Sequence, residues 1–158
     1  MNIQFTVHGE PMGKQRPKAT SIGGHARVYT PKNTVQYESK VISAYKEACG
    51  EEVTFPDPEE EVYACITAEF QLQKTHYGKR GINQKGLDKL SGKINPTKAP
   101  DCDNIAKIVL DALNGLAYHD DSQITALLVI KRYAEQPCVR VILESKPKGV
   151  NDGSKTKR

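Results

Sequence analysis

No stretch of the 158-residue chain approaches the roughly 18 apolar residues of a membrane span, and its opening MNIQFTVHGEP has neither a basic leader nor an apolar signal core. Secretion and membrane insertion are therefore not expected, and a cytoplasmic setting is. Cysteine is scarce: Cys49, Cys65, Cys102 and Cys138 stand far apart, without the paired spacing of a zinc site or the density of a disulfide scaffold. Free thiols in a reducing compartment follow. His8, His25, His76 and His119 show no ligand spacing, so no His/Cys metal centre is expected. A glycine-rich Walker loop is missing, which removes the main support for a nucleoside triphosphate site. Internal repeats and a second domain are equally invisible. The remaining balance, 37% apolar and 27% charged, is that of one globular domain. At this size a domain buries about two thirds of the surface its unfolded chain exposes.

The net charge of +4 is weak evidence for a polyanionic partner, but the signs are segregated. Between residues 11 and 32, Lys14, Arg16, Lys18, Arg27 and Lys32 occur with no acid, in a glycine- and proline-rich tract whose charges a core could not cheaply bury. A second basic tract spans residues 74 to 98, including Lys74, Lys79 and Arg80, against the single acid Asp88. Both are candidates for contacts to a phosphate backbone, which position a nucleic acid without reading its sequence. Residues 99 to 121 then carry Asp101, Asp103, Asp111, Asp120 and Asp121 against Lys107 alone.

Hydropathy patterning predicts an α+β fold, a single small domain in which a mixed β-sheet packs against two main helices. Ile3, Phe5 and Val7 alternate as an opening strand, which Gly9, Pro11, Gly13 and Pro17 stop, so the basic tract after it reads as a loop. Asn33 with Gln36 suggests a capped start for a helix over about 34–49, with Val35, Val41, Ile42, Tyr45 and Ala48 as its buried stripe. Val62 through Leu72 alternate without a break as the clearest strand. Residues 73–100 form a long basic excursion, read as a mobile lobe with a short helix near 85–90. A second amphipathic helix is predicted over 103–116. Two strands at 123–131 and 139–144 then read as a terminal hairpin. The domain so defined covers residues 1–145, and 146–158 reads as a disordered basic tail.

Chemistry concentrates where Asp101 and Asp103 flank Cys102 just before the second helix, because in an extended approach both carboxylates point to one side. Asp103, Lys107 and Asp111 recur every fourth residue along one exposed helical face. An antiparallel return after the helix would bring Asp120 or Asp121 back beside the pair. Such oxygen ligands suit a hard cation, Mg²⁺ with Mn²⁺ as a substitute, and leave positions for phosphate oxygens and an attacking water. The plainer reading has an aspartate capping the helix, Lys107 in a helix ion pair, and Asp120 and Asp121 decorating a turn.

The tract DCDNIAKIVLDALNGLAYHDDSQI, Asp101 to Ile124, resembles the RusA family of Holliday junction resolvases, metal-dependent endonucleases of bacteria and their prophages. The likeness extends to the first strand, GKQRPK from Gly13 to Lys18, YTPKNT from Tyr29 to Thr34, and the terminal strands. It implies catalytic or metal-binding roles for Asp101, Asp103 and Asp121, with Lys107 as the supporting basic residue and Asp120 as the alternative to Asp121. It also implies a homodimer making paired nicks across four-way DNA junctions. The expanded segment between Lys74 and Lys98 departs from compact members, and it leaves open relaxed cutting of flaps or other branched DNA. A non-catalytic nucleic-acid-binding protein is the competing class, distinguished by the absence of metal-dependent strand scission.

Overall fold

The computed structural model describes residues 1–50 and 56–146. The alternating runs become strands whose inward residues form the core. β1 (Asn2–His8) lies antiparallel to β8 (Cys138–Lys146), β8 lies antiparallel to β4 (Glu61–Gln71), and β4 pairs parallel with β7 (Ile124–Ala134). The sheet order is β1-β8-β4-β7. Phe5 and Val7, Val62, Ala64, Ile66 and Ala68, and Val139, Val141 and Leu143 are all buried on one face. Each fully buried Val or Ile contributes about 1.5–3 kcal/mol relative to exposure.

Two helices cover that face. α1 (Lys32–Cys49) buries Thr34, Tyr37, Val41 and Tyr45, spaced three and four residues apart, with the Tyr45 ring edge-on to Phe5 at 5.8 Å. Its start differs from the expected Asn33/Gln36 cap: the flanking residue is Pro31, whose carbonyl accepts from the Thr34 and Val35 amides, and no side chain caps the turn. Val35 is accordingly exposed. The other main helix, over Cys102–Leu113, buries Ile105, Ala106, Ile108, Val109, Ala112 and Leu113 and ends three residues short of the predicted Leu116. There the Leu116 amide turns back onto the Leu113 carbonyl, and Gly115 takes a positive φ of 72° that releases the chain from helical geometry.

Three expectations need correction. The last two strands do not form a hairpin, because β4 and β8 pair with each other and β7 lies outside β4, parallel to it. The basic tract after β1 is more than a loop: β2 (Lys18–Ile22) and β3 (His25–Tyr29) form a hairpin whose Gly23-Gly24 turn has positive φ at both residues, the geometry that matches strand twist. The domain also runs one residue past 145, since Lys146 pairs with Glu61. The predicted tail beyond Lys146 lies outside the described residues.

Among the described residues no helix covers the sheet's other face, which carries a charged network near the C-terminal end of β4. Buried Glu69 of β4 accepts from Arg132 Nε at 2.8 Å and Arg140 Nη2 at 3.3 Å, and from the Cys138 thiol at 3.1 Å. Burial works to raise the Glu69 pKa, but the hydrogen bonds from Arg132 and Cys138 and the attraction of both guanidinium groups outweigh it and hold the carboxyl below its ordinary value of 4.5. A depressed folded-state pKa supplies stability above the unfolded value that disappears as pH falls through the folded one. Glu69→Gln is therefore expected to flatten the acid limb: the wild-type urea midpoint falls below pH about 4.5, and the variant's falls less. An unchanged acid limb would show that the network contributes nothing.

Candidate active site

The crossover helix over Cys102–Leu113 is the third helix of the chain, α3, and Asp101 is its flanking residue, with extended backbone and no side-chain capping bond. The Asp101 carbonyl accepts the first intrahelical bond, from the Ile105 amide at 3.0 Å. Asp103 sits in the first turn, and both aspartates are exposed. Neither makes an ion pair among the described residues. Both carboxylates thus belong to the N-terminal turn of a helix, where unsatisfied amides favour negative charge.

Lys107 is also exposed, one turn along from Asp103, as the four-residue spacing predicts. Asp111, a further turn on, accepts from Lys14 Nζ at 3.0 Å, and Lys14 also pairs with Glu38 of α1. Partial burial opposes the Lys14 charge, yet Glu38 and Asp111 together raise its pKa above the ordinary value. Lys14 therefore acts as a tether joining the segment after β1 to both main helices, rather than as a free phosphate contact.

That tether fixes the basic tract beside the carboxylates. The Lys14 amide donates to the Asn104 carbonyl at 2.9 Å, and Gly13 sits so close to α3 that a Cβ there would stand 2.8 Å from Pro100 Cβ and 3.1 Å from Asn104 Cβ. Glycine is required by that approach, a role its place in the sequence did not disclose. Arg16 and Lys18 follow directly and are exposed, as are Arg27 on β3 and Lys32 at the start of α1.

The 73–100 excursion is ordered into short elements that dock on β7. After a single 3₁₀ turn at Lys74–His76, β5 (Tyr77–Gly78) and β6 (Gly81–Ile82) form a small hairpin with Lys79 and Arg80 at its tip. α2 (Gln84–Leu90) follows, capped by Asn83 Oδ1 accepting from the Gly86 amide at 3.0 Å. Buried Lys89 lies 4.3 Å from the Tyr133 ring centroid, and Lys131 Nζ donates to the Lys98 carbonyl at 2.6 Å. Lys74, Lys79 and Arg80 are exposed. Because the segment leads directly into Asp101, it brings a second basic surface to the same end of the sheet.

The last acidic pair does not join this cluster. An antiparallel return was expected to bring it back, but β7 runs parallel to β4 and starts opposite Val62, at the end of the sheet remote from Asp101. Gln123 fixes that end, donating to the Asp57 and Glu60 carbonyls at 2.9 and 3.2 Å. A twelve-residue helix, about 18 Å long, separates the two ends. Accordingly, no group of three or more His, Cys, Asp or Glu residues suited to a metal assembles among the described residues of one chain. The pair also divides by task. Asp120 caps the short 3₁₀ turn at Asp121–Gln123 in a capping box with Gln123, and its carboxylate accepts from Ser122. The Ser122 hydrogen bond is the main cause of a pKa below the ordinary range. Asp121 is exposed.

A mixed four-stranded sheet with helices on one face, an Asp-x-Asp pair opening the crossover helix and the Gly13–Lys14 segment held against that helix define a small α+β domain. The chain belongs to the RusA endodeoxyribonuclease family: the family model Endodeoxyribonuclease RusA matches residues 8–144. It is also 32% identical over 145 residues to "Uncharacterized protein YqaN" of Bacillus subtilis (strain 168), covering 89% of this chain and 94% of that protein. No helix among the described residues is long and apolar enough to cross a membrane.

Proposed function

We propose that the protein is a metal-dependent, homodimeric endonuclease that resolves four-way DNA junctions by paired, symmetric nicks. The observation that carries this reading is that Asp101 and Asp103, exposed and without an ion pair among the described residues, open the end of α3 against which Gly13 and Lys14 are anchored. Two adjacent carboxylates fit part of a Mg²⁺ or Mn²⁺ oxygen shell. Asp121, the third carboxylate of this reading, lies at the far end of α3 in its own chain, and the reading takes it from a second copy. Each site would then hold Asp101 and Asp103 from one protomer and the partner's Asp121, and a two-fold dimer would carry two such sites. The bound ion supplies Lewis-acid stabilisation of the phosphoryl oxygen and a lower pKa for attacking water.

The chain's own residues perform the remaining tasks. Lys107, exposed one turn from Asp103, offsets negative charge on the scissile phosphate. Arg16, Lys18, Arg27 and Lys32, with Lys74, Lys79 and Arg80, hold the DNA backbone, and Lys14 positions their tract through Glu38 and Asp111. Hydrolysis leaves 5′-phosphate and 3′-hydroxyl ends that a ligase can rejoin.

Incubating the purified protein with Mg²⁺ and an end-labelled four-way junction, beside linear duplex and flap controls, tests this directly. Symmetric nicks at the junction are expected. Preferential flap cutting would retain the nuclease and change its substrate, whereas binding without scission in Mg²⁺ or Mn²⁺ would leave a nucleic-acid-binding protein.

A further inference from the structure

The hairpin of β2 and β3 stands out from the rest of the domain. Its residue pairs run from Lys18 with Tyr29 at the root to Ile22 with His25 beside the turn. Lys18 to Ser21 and Gly23 to Tyr29 are all exposed, Val28 to 71%. A two-stranded ribbon exposed in this way adds little stability, so burial does not account for its length. Its root is nonetheless held firmly. Lys18 follows four residues after Lys14, whose amide donates to Asn104 of α3 and whose ammonium pairs with Glu38 and Asp111. The ribbon is thus rooted against the helix that Asp101 and Asp103 open.

Charge and bulk are graded along it. Residues 11 to 32 contain no acid, and Lys18, His25 and Arg27 make no ion pair among the described residues. Lys18 lies at the root and Arg27 in the middle, on one face, because alternate positions of a ribbon share a face. Nearer the tip the side chains shrink to Ser21 and Ala26, and at the Gly23-Gly24 turn a Cβ would meet nothing within 4 Å. The β5–β6 hairpin is the reverse. Its strands have two residues each and its tip carries Lys79 and Arg80, which suits it to phosphates and leaves it too short to reach past them.

We infer that the β2–β3 ribbon enters the major groove of a DNA arm tip first, with the Gly23-Gly24 turn and His25 against base edges and Arg27 and Lys18 on the flanking phosphates. The major groove of B-DNA, about 12 Å wide and about 8.5 Å deep, admits a ribbon whose strands lie about 4.8 Å apart, whereas the minor groove is only about 6 Å wide. At about 3.3 Å per residue, a tip resting on the groove floor places about two and a half residue pairs inside it. Those are the pair beside the turn and the slim Ser21–Ala26 pair, and Arg27 follows at the height of the phosphates. The small side chains therefore fall where the walls are close, and the long cations where the charge is. The inference rests on the DNA substrate proposed above and names how one arm is gripped.

Dimethyl sulfate footprinting on a four-way junction reads the groove directly, since guanine N7 faces the major groove. The wild-type protein should protect guanines within one stretch of an arm. Deleting Ser21, Ile22, His25 and Ala26 keeps both glycines, the Thr20–Arg27 pair and every lysine and arginine. That variant should lose the protection and bind the junction about tenfold more weakly, with its unfolding free energy from urea titration unchanged. A further measurement needs no variant: arms carrying glucosylated 5-hydroxymethylcytosine, which fills the major groove, should weaken wild-type binding by about tenfold or more. Netropsin, a minor-groove ligand, should not.

Guanine N7 left open by the wild type, protection that survives the deletion, or binding indifferent to the filled major groove would each overturn the inference. A protein that nicks junctions without N7 protection keeps the nuclease reading and refutes the ribbon's role. One that protects the arm and cuts nothing in Mg²⁺ or Mn²⁺ keeps the ribbon and refutes the nuclease.

Discussion

Asp103→Asn is expected to lower the single-turnover rate of junction nicking by about 10³-fold or more while leaving junction binding nearly unchanged. A ligand carboxylate at a phosphoryl-transfer site accounts for several kcal/mol of transition-state stabilisation, and about 1.4 kcal/mol is tenfold in rate. Asparagine keeps the size of the side chain and removes its charge. Asp103 is exposed and forms no ion pair among the described residues, so the fold does not depend on it. The variant's unfolding free energy from urea titration should stay within about 0.5 kcal/mol of wild type. Binding, read by electrophoretic shift, should persist because the proposed phosphate contacts, Arg16, Lys18, Arg27 and Lys32, are untouched. A rate within tenfold of wild type would remove Asp103 from the chemistry.

The second large effect appears when two inactive variants are mixed. Asp103→Asn and Asp121→Asn homodimers each lack one carboxylate in both sites. Subunit exchange between them creates a dimer in which one site has lost both groups and the other is complete, because its Asp101 and Asp103 come from one chain and its Asp121 from the other. At equal concentrations half the dimers are mixed, so nicking should return to about a quarter of the wild-type site count. The product should also change, since one working site nicks one strand and leaves the junction unresolved. If all three carboxylates acted within one chain, the mixture would remain as inactive as its parents. Denaturing gels of the two labelled strands distinguish these results.

Both predictions depend on a separation that local sequence does not carry. The tract from Asp101 to Ile124 is continuous, and its acids look like one cluster when written on a line. Helix periodicity correctly aligned Asp103, Lys107 and Asp111, because a rotation of 3.6 residues per turn is a local property. Whether Asp121 then returns to Asp101 depends on the direction in which β7 joins the sheet. Alternation at Ile124, Ala126, Leu128 and Ile130 is identical for a parallel and an antiparallel partner.

Lys14 shows the same limit on a single side chain. Its tract of basic residues, glycine and proline pointed to a solvated loop reaching for phosphate. Three-dimensional packing instead brings Glu38 and Asp111, from two different helices, to its ammonium group. The capping box at Asp120 was readable in principle, since Gln123 stands three residues later, the spacing of reciprocal capping.

The sequence by itself determined the four strands of the main sheet and its two main helices, the buried stripe of α3, the Asp-x-Asp pair at its start, the segregation of charge and, through the tract around them, the family. These properties arise from spacing along the chain, where backbone geometry and hydrophobic burial act over a few residues. Tertiary structure alone decided that β7 lies parallel at the sheet's edge, that Lys14 is a tether, and that Asp121 stands a helix length from Asp101. Strand pairing and ion pairing join residues far apart in sequence, and their outcome is set by which faces the whole domain can bury together.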